Sequence, residues 1–224
     1  VHEFIFIIGY LGDKIHDFVK EKYPHLNTHF IQQNERLGLG HAVLLSREIV
    51  REDEVIIVLG DSICEYDVKG VLASEHSLLC VKRVDDPRDF GVAEINEEGI
   101  ITKVVEKPQI PKSNMALVGI YKIRESQELF AVIERDLAST EQHEEYHLTH
   151  VINELVHSGI RVGTFQVNNW FDCGKKESLL ETNAILLNKV GYASEEVPFF
   201  DNTIIIHPVS IALGCEIENS IVGP

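Results

Sequence analysis

The chain has 224 residues, which is enough for one or two domains with a sizeable core. With 44% hydrophobic and 25% charged residues, its composition is that of an ordinary globular protein. The formal net charge of −16 argues against nucleic acid as a partner, because neutralising its phosphates requires clustered Lys and Arg. A nucleotide is still compatible with this charge if a divalent cation accompanies it.

The sequence shows no sign of a membrane span or a secretory signal. No apolar run reaches the length of a transmembrane helix, and no signal peptide is visible. The four cysteines are irregularly spaced and none forms a CxxC pair, which favours reduced thiols over a metal cluster. We therefore predict a cytoplasmic protein without a membrane partner.

The first sixty residues alternate between strand and helix patterns. They predict a strand over Phe4–Tyr10, a helix over Leu11–Val19, a strand over Thr28–Gln33, a helix over His41–Val50 and a strand over Val55–Asp61. This order implies right-handed crossovers and a mostly parallel sheet. The chain starts inside the first strand, so we expect further residues before it.

The middle of the chain changes character. Four β-favouring segments follow one another with short turns, over Ser77–Val84, Phe90–Asn96, Gly99–Lys107 and Met115–Ile123. They predict an antiparallel or mixed region that covers part of the sheet. Two helices, a strand and a long helix follow, which completes a doubly wound, Rossmann-like α/β domain with a mixed sheet over 1–195.

The last segment, 196–224, has a different period. Ile205, Ile211 and Ile217 recur every six residues, with Gly214 and Gly223 nearby. A six-residue repeat is typical of a parallel β-helix, whose coils need stacked neighbours to bury their faces. We therefore predict the start of a hexapeptide-repeat β-helix here, and we expect it to continue beyond Pro224.

Asp61 is the first candidate for chemistry, because it follows the most hydrophobic predicted strand. In doubly wound sheets, ligands bind beyond the carboxyl ends of the strands. A divalent cation such as Mg²⁺ would offset the cost of removing this carboxylate from water. The alternative is that Asp61 caps the following turn or helix with its side chain.

Asp172 is the natural second carboxylate, because it follows a predicted strand and precedes Gly174 and a helix. The side chain of Trp170, two residues earlier, could form one wall of a pocket. The alternative is that Trp170 belongs to the core and Asp172 is the N-cap of that helix. No spacing motif links Asp61 with Asp172, so their convergence is an inference from topology.

Two further segments are candidates for binding. Gly38 and Gly40 stand where a helix begins, and they serve either a turn with positive φ or the close approach of a ligand. Glu106 suits a sugar hydroxyl and Lys107 suits a phosphate. Neighbouring strand residues point to opposite faces, so these two side chains share a ligand only if the strand bends there. A solvated ion pair is the alternative.

Taken in order, these segments resemble the sugar-1-phosphate nucleotidylyltransferases, also called NDP-sugar pyrophosphorylases. The similarity covers nearly the whole chain. The matching segments are QQNERLGLGHAV (32–43), VLGD (58–61), FGV (90–92), EKP (106–108), VGIY (118–121), EYHLTH (145–150), WFDCG (170–174) and the hexapeptide-like tail. The resemblance implies a GT-A-like nucleotidyltransferase sheet and a left-handed β-helix.

The resemblance also implies a reaction and a set of roles. An oxygen of a sugar 1-phosphate attacks the α-phosphorus of a nucleoside triphosphate and pyrophosphate leaves, with UTP or dTTP and glucose 1-phosphate favoured. Mg²⁺ is the implied cofactor, and homo-oligomers accompany this fold in the family. The implied residues are Asp61 and Asp172 for Mg²⁺, Lys107 for the sugar phosphate, Gln33 and Gly38 for the base, Gly91 and Glu106 for the sugar, and Tyr121 near the sugar phosphate.

The sequence departs from the family pattern at its start. The Gly-rich segment with an Arg, and the later Lys, which together hold the triphosphate, are not in this sequence. The chain as given is therefore expected to lack part of the catalytic apparatus. Two alternatives stay open, namely a non-catalytic regulatory homologue and a GT-A-like glycosyltransferase. The second is disfavoured because it needs a DxD-type pair, whereas Asp61 is followed by Ser62 and Ile63.

Overall fold

The computed structural model of the protein describes residues 1–139, 145–191, 194 and 197–224. In chain order, the strands are β1 (Phe4–Ile8), β2 (Thr28–Gln32), β3 (Val55–Val58), β4 (Ser62–Glu65), β5 (Ser77–Arg83), β6 (Gly91–Ile95), β7 (Ile101–Glu106), β8 (Met115–Ile123), β9 (Val162–Gln166), β10 (Asn169–Asp172), β11 (Ile204–Ile205) and β12 (Ile221–Val222). The helices are α1 (Gly12–Lys22), α2 (Leu39–Leu44), α3 (Arg47–Val50), α4 (Val68–Ala73), α5 (Ser126–Ser139), α6 (Leu148–His157) and α7 (Lys176–Val190).

The chain divides into two compact units. The first unit combines Val1–Val58 with Asp67–Val167, and the second combines Leu59–Tyr66 with Asn168–Pro224. Both therefore consist of two separate stretches of chain. The boundary between 195 and 196 stays a prediction.

The first unit contains a mixed sheet centred on β8. Its strand order is β7-β6-β8-β5-β9, and β3 also pairs with β8. All nine residues of β8 are buried, as expected for a strand covered on both faces. β6 pairs with its Met115–Ala116 end and β3 with its Ile120–Ile123 end. Gly119, with φ of 79°, lies between these two pairings.

The predicted mixed sheet is confirmed, but the mostly parallel arrangement expected from the first sixty residues is wrong. In the described part of this sheet, only β5 and β9 run parallel, while β3, β5 and β6 all pair antiparallel with β8. The parallel pair β1–β2, joined through α1, is a separate two-stranded sheet. The middle segments β5 to β8 therefore form most of the sheet, and the short turn between β6 and β7 permits only an antiparallel pair.

The predicted helix over His41–Val50 is divided into α2 and α3. The amide of Ser46 donates to the carbonyl of Val43 at 3.0 Å, and its hydroxyl donates to the same carbonyl at 2.7 Å. This i to i−3 pattern tightens the chain and ends the α-helical hydrogen bonding of α2.

The apolar stripe predicted for α6 is confirmed. Leu148, Val151, Ile152 and Leu155 are all buried. From the same helix, the Asn153 side chain meets the backbone of Val104 in β7. Its amide donates to the Val104 carbonyl at 2.6 Å, and its oxygen accepts from the Val104 amide at 2.7 Å. A helix side chain thus satisfies backbone groups of β7 that face away from β6.

Lys122 in β8 is a buried cation that the sequence patterns did not single out. Its side chain is 1% exposed, and its Nζ donates to the carbonyls of Leu72 at 2.8 Å and Ser74 at 2.7 Å. A carboxylate oxygen of Glu54 lies 3.4 Å away. Because the last carbonyls of a helix have no intrahelical donor, the ammonium group supplies one at the C-terminal end of α4.

The second unit is built around the antiparallel pair β4–β10, against which α7 packs. Glu65 of β4 accepts a hydrogen bond from Asn169 at 2.7 Å and pairs with Lys189 of α7. These contacts hold the pKa of Glu65 below its ordinary value, with the Lys189 hydrogen bond as the largest cause.

The C-terminal segment of this unit contains two short parallel strands, β11 and β12, with Ile204 opposite Ile221. Ile205, Ile211 and Ile217 are half-buried, whereas most of their neighbours are exposed. The left-handed β-helix stays a prediction. Across the described residues, no helix has both the length and the apolar character of a membrane span.

We expect Lys122→Met to destabilise the protein by roughly 2–4 kcal/mol, because the half-buried carbonyls of Leu72 and Ser74 lose their donor. Urea denaturation measures this change. Lys69→Met, on an exposed position of α4, is the matched control and should change stability by less than about 0.5 kcal/mol. Equal effects of the two substitutions would contradict the capping role.

Candidate functional site

Antiparallel pairing in the second unit brings Asp61 and Asp172 together. Asp172, the last residue of β10, lies opposite Ser62, the first residue of β4. One step further along, the amide of Cys173 donates to the carbonyl of Asp61 at 2.8 Å. The ladder between β4 and β10 therefore ends at the two aspartates.

Gly174 marks the point on which both carboxylates converge. A Cβ atom at this position would lie 3.1 Å from Oδ1 of Asp172 and 3.6 Å from Oδ2 of Asp61. The Gly174 amide also donates to Oδ1 of Asp172 at 3.0 Å. Glycine thus leaves open the space between two acidic side chains, and its backbone orients one of them.

The helix-capping alternatives do not describe these aspartates, and a turn-capping role of Asp61 stays an alternative. Asp61 precedes a strand, β4, so it does not cap a helix. The N-cap of α7 is Lys175, three residues after Asp172. The Asp172 carboxylate instead accepts from the amide two residues on, in an Asx-type turn.

This donor set fits Mg²⁺. The described residues contain no group of three or more His, Cys, Asp or Glu side chains arranged to hold a metal. Mg²⁺ is commonly bound by one or two carboxylates together with water and substrate phosphates, rather than by an all-protein cage. Two carboxylates around an open space are therefore compatible with this ion.

In the first unit, the loop from Leu37 to Gly40 is fixed by Tyr146. The Gly40 amide donates to the Tyr146 carbonyl at 3.0 Å, and the Tyr146 amide donates to the Leu37 carbonyl at 3.0 Å. A Cβ at Gly38 would lie 2.5 Å from the Tyr146 backbone nitrogen, and one at Gly40 would lie 2.2 Å from the Tyr146 ring. Gly38 also has φ of 93°. Contact with Tyr146 is thus sufficient to require both glycines.

A buried acidic centre holds the Tyr146 ring in place. The phenol donates to Oδ2 of Asp136 at 2.7 Å, and Nε2 of His150 lies 3.1 Å from the same oxygen. Arg135 pairs with Oδ1 at 2.8 Å. Burial raises the pKa of Asp136, but hydrogen bonds from Tyr146 and Arg135 outweigh it and leave the pKa below its ordinary value. Burial and the bond to Asp136 raise the pKa of Tyr146.

The regular alternation of β7 ends within the segment 106–108. Glu106 ends β7 opposite Gly91 of β6, and its Oε2 lies 3.4 Å from the position of a Cβ at Gly91. Lys107 then adopts φ of 40°, and its amide donates to the Phe90 carbonyl at 3.1 Å. This left-handed residue interrupts the alternation of the strand.

Lys107 also lines a surface cavity of about 420 Å³. The other lining residues are Asp86, Arg88, Asp89, Pro108 and Gln109. Arg88 Nε donates to Asp86 at 2.8 Å, and hydrogen bonds from Arg88 lower the pKa of Asp86 to about 2. Two cationic and two acidic side chains thus border the cavity.

The remaining candidates lie elsewhere in the first unit. Tyr121 is 5% exposed and sits within the sheet, opposite Ile57 and Leu79. Gln33, just after β2, contacts the Gly38 loop through its amide. Asp61 and Asp172 belong to the second unit, and all other candidate residues belong to the first.

Motif reasoning missed the roles of Tyr146 and Asp136. Tyr146 lies within the EYHLTH segment, which was noted for its order in the chain but not for a contact with the glycines. The available signal was the pair Gly38 and Gly40 itself, since two glycines at a helix start predict a bulky neighbour as well as a ligand.

Comparison with known proteins assigns the chain to a family. A family model described as nucleotidyl transferase matches residues 8–189. The bifunctional protein GlmU of Methanocaldococcus jannaschii is 34% identical over 186 residues, covering 82% of this chain. A glucose-1-phosphate thymidylyltransferase of Streptomyces griseus is 31% identical over 222 residues, covering 89% of this chain. The chain spans 43% and 61% of the lengths of these two relatives.

Solved structures show the same architecture. A Bacillus anthracis structure described as a glucose-1-phosphate thymidylyltransferase has a TM-score of 0.69 at 26% identity, covering 81% of this chain and 74% of that one. A UDP-glucose pyrophosphorylase complexed with UDP-glucose has a TM-score of 0.70 at 19% identity, covering 84% and 81%. The second likeness concerns the fold alone.

The fold is thus a mixed α/β fold with a central mixed sheet, as in solved nucleotidyltransferases. The chain belongs to the nucleotidyl transferase family. The resemblance to sugar-1-phosphate nucleotidylyltransferases that its sequence indicated is confirmed.

We expect the two glycines of the loop to respond differently to loss of the Tyr146 ring. Gly40→Ala should cost about 1–3 kcal/mol of stability through overpacking, and much less in a Tyr146→Ala background, where the ring is gone. Gly38→Ala should cost the same in both backgrounds, because its Cβ would meet the Tyr146 backbone at a residue with positive φ. Denaturant unfolding of the four variants and their parents measures both couplings.

We expect Asp136→Asn to destabilise the protein in a pH-dependent manner. Because the folded-state pKa of Asp136 is lowered, its stabilising effect is fully present above the unfolded-state pKa of about 3.9 and is lost as pH falls through the folded value. The free-energy difference between wild type and variant should therefore shrink as the pH falls below about 4. A parallel series on Asp53→Asn, at an exposed turn, is the control.

Proposed function

We propose that the protein transfers a nucleotidyl group from a nucleoside triphosphate to a sugar 1-phosphate, giving an NDP-sugar and pyrophosphate. UTP or dTTP with glucose 1-phosphate is the favoured pair. Membership of the nucleotidyl transferase family supports the reaction class. The observation that carries the proposal is the convergence of Asp61 and Asp172 on the open space at Gly174, since the Asx-type turn accounts for one oxygen of Asp172 and not for the approach of Asp61.

In this proposal, Asp61 and Asp172 hold Mg²⁺, which when bound offsets the negative charge of the triphosphate. Mutual repulsion makes two neighbouring carboxylates a poor arrangement without a cation and a good one with it. The Gly174 amide keeps Asp172 oriented before any ligand arrives. The acid pair is thus prearranged by the backbone of the second unit.

The first unit would bind the organic parts of both substrates. Gln33 and Gly38 contact the nucleobase, and the Tyr146 contacts keep that loop in one conformation. Glu106 accepts from sugar hydroxyls, the backbone of Gly91 contacts the sugar, and Lys107 meets the sugar phosphate. We assign Tyr121 to the sugar-phosphate end, where its burial limits it to a supporting contact.

The protein has little covalent chemistry to perform in the reaction. A phosphate oxygen of the sugar 1-phosphate forms a bond to the α-phosphorus, and the bond from that phosphorus to the pyrophosphate oxygen breaks. Both substrates are already strongly anionic, so neither needs a general base for activation. Positioning the two anions in line and stabilising their charge supply the catalysis.

The proposal also places the protein in the cytoplasm and includes a homo-oligomeric assembly. Neither feature is needed for the reaction. Purified full-length protein analysed by light scattering tests the assembly.

Release of pyrophosphate by the full-length protein tests the reaction. We expect turnover with UTP or dTTP and glucose 1-phosphate in the presence of Mg²⁺, and we expect Asp172→Asn to lower kcat by at least about 100-fold. Asp201→Asn, an exposed aspartate of the same unit, should leave kcat unchanged. Absence of turnover with every pair of nucleotide and sugar phosphate would refute the proposed enzymatic activity. Nucleotide binding without turnover would favour a regulatory homologue.

A further inference from the structure

The side-chain amide of Gln33 has its orientation fixed by the Gly38 carbonyl. Its Nε2 lies 3.2 Å from that oxygen. A carbonyl oxygen accepts hydrogen bonds and never donates, so the nitrogen end of the amide must face Gly38. The opposite orientation would place two oxygens against each other.

The same nitrogen determines the tautomer of His41. Nε2 of Gln33 lies 3.1 Å from Nδ1 of His41. Since the amide nitrogen carries only donors, Nδ1 must act as the acceptor, and the imidazole proton resides on Nε2. One amide hydrogen thus serves Gly38 and the other serves His41.

This arrangement leaves the Gln33 oxygen, Oε1, as the part of the amide that can meet a ligand. Gln33 and Gly38 are both half-buried, so the group is reachable without being fully solvated. Both partners of the amide belong to the loop and first turn of α2, from Gly38 to His41. Tyr146 holds that same loop from its other side through Leu37 and Gly40.

We propose that His41 is a positioning residue for base selection, acting by holding Gln33 so that Oε1 is presented as a hydrogen-bond acceptor. The inference rests on the proposed function and adds a specificity to it. An acceptor selects bases that offer a ring N–H, which are uracil, thymine and guanine. Cytosine and adenine offer an unprotonated ring nitrogen at the corresponding edge, so two acceptors would face each other.

The geometry also explains why the residue next to Gly40 is a histidine. A side chain at position 41 must accept from Gln33 while Gly40 keeps its contact with the Tyr146 ring. An aliphatic residue of similar size would leave one amide hydrogen without a partner, and the Gly38 carbonyl alone would then hold the amide against a rotation of about half a turn. That rotation would exchange the acceptor for a donor and reverse the preference.

Three variants of the full-length protein test the role of His41 through nucleotide preference. His41→Leu removes the acceptor, and His41→Asn restores one, because Oδ1 of an asparagine takes approximately the place of Nδ1. His25→Leu, at an exposed position between α1 and β2, is the matched control. The measurement is kcat/KM for UTP and for CTP, each with Mg²⁺ and saturating glucose 1-phosphate.

We expect wild type, His41→Asn and His25→Leu to prefer UTP over CTP. In His41→Leu, the ratio of kcat/KM for UTP to kcat/KM for CTP should fall about tenfold. The loss should lie in KM for the nucleotide, with kcat for UTP and KM for glucose 1-phosphate little changed. A purely structural role would instead lower activity with both nucleotides equally. Equal losses, or an unchanged preference in His41→Leu, would overturn the inference while leaving the proposed reaction intact.

A spectroscopic measurement tests the same contact without relying on activity. In ¹⁵N-labelled protein, a coupling transmitted through the hydrogen bond should connect Nε2 of Gln33 with Nδ1 of His41, and His41→Leu should abolish it. Absence of this coupling in wild type would overturn the inference. If the coupling is present but no nucleotide is turned over, the proposed function fails and the proposed base selection fails with it.

Discussion

The buried strand β8 is the constraint on which the first unit depends. All nine of its residues are buried, so each of its backbone amides and carbonyls must find a partner within the protein. Three strands satisfy this requirement, with β6 and β3 at different ends of the strand and β5 beside it. All three of these partners run antiparallel to β8, which gives the sheet its antiparallel character. Even the buried cation of this strand, Lys122, serves backbone carbonyls of a neighbouring helix.

The loop that precedes α2 shows how one glycine pair can satisfy two demands. Gly38 and Gly40 are required by the backbone and the ring of Tyr146, whatever ligand the loop meets. The resulting rigidity is nevertheless useful for recognition, since a preorganised loop loses little conformational entropy when it binds. The packing explanation and the binding explanation are therefore compatible, and the first makes the second more effective. Asp136 extends this support by fixing the phenol of Tyr146.

The acid pair of the second unit arises from a different kind of constraint. Asp61 and Asp172 lie far apart in sequence, but each stands at the same end of the ladder between β4 and β10. The pairing register alone sets their proximity, and Gly174 keeps the space between them free of side-chain atoms. The two units thus contribute separate sets of candidate residues, with the acid pair in the second and the other candidates in the first.

Sequence by itself determined the kind of protein and most of its elements. Continuous apolar runs identified β8 and its neighbours, helical spacing identified α6, and the ordered segments identified the family. These signals are local, because each depends on residues close together in the chain. The choice of two aspartates as a pair was also made from sequence, although it required an assumption about topology.

Only the tertiary structure decided which distant residues meet. The pairing of β3 with β8, the contact of Tyr146 with two glycines, and the link from Gln33 to His41 have no periodic signature. Strand direction was mispredicted for the same reason, since a β-favouring run reads alike in parallel and antiparallel sheets. A residue pattern reports which face of an element is apolar, whereas its partner is selected by packing and hydrogen bonding across the whole fold.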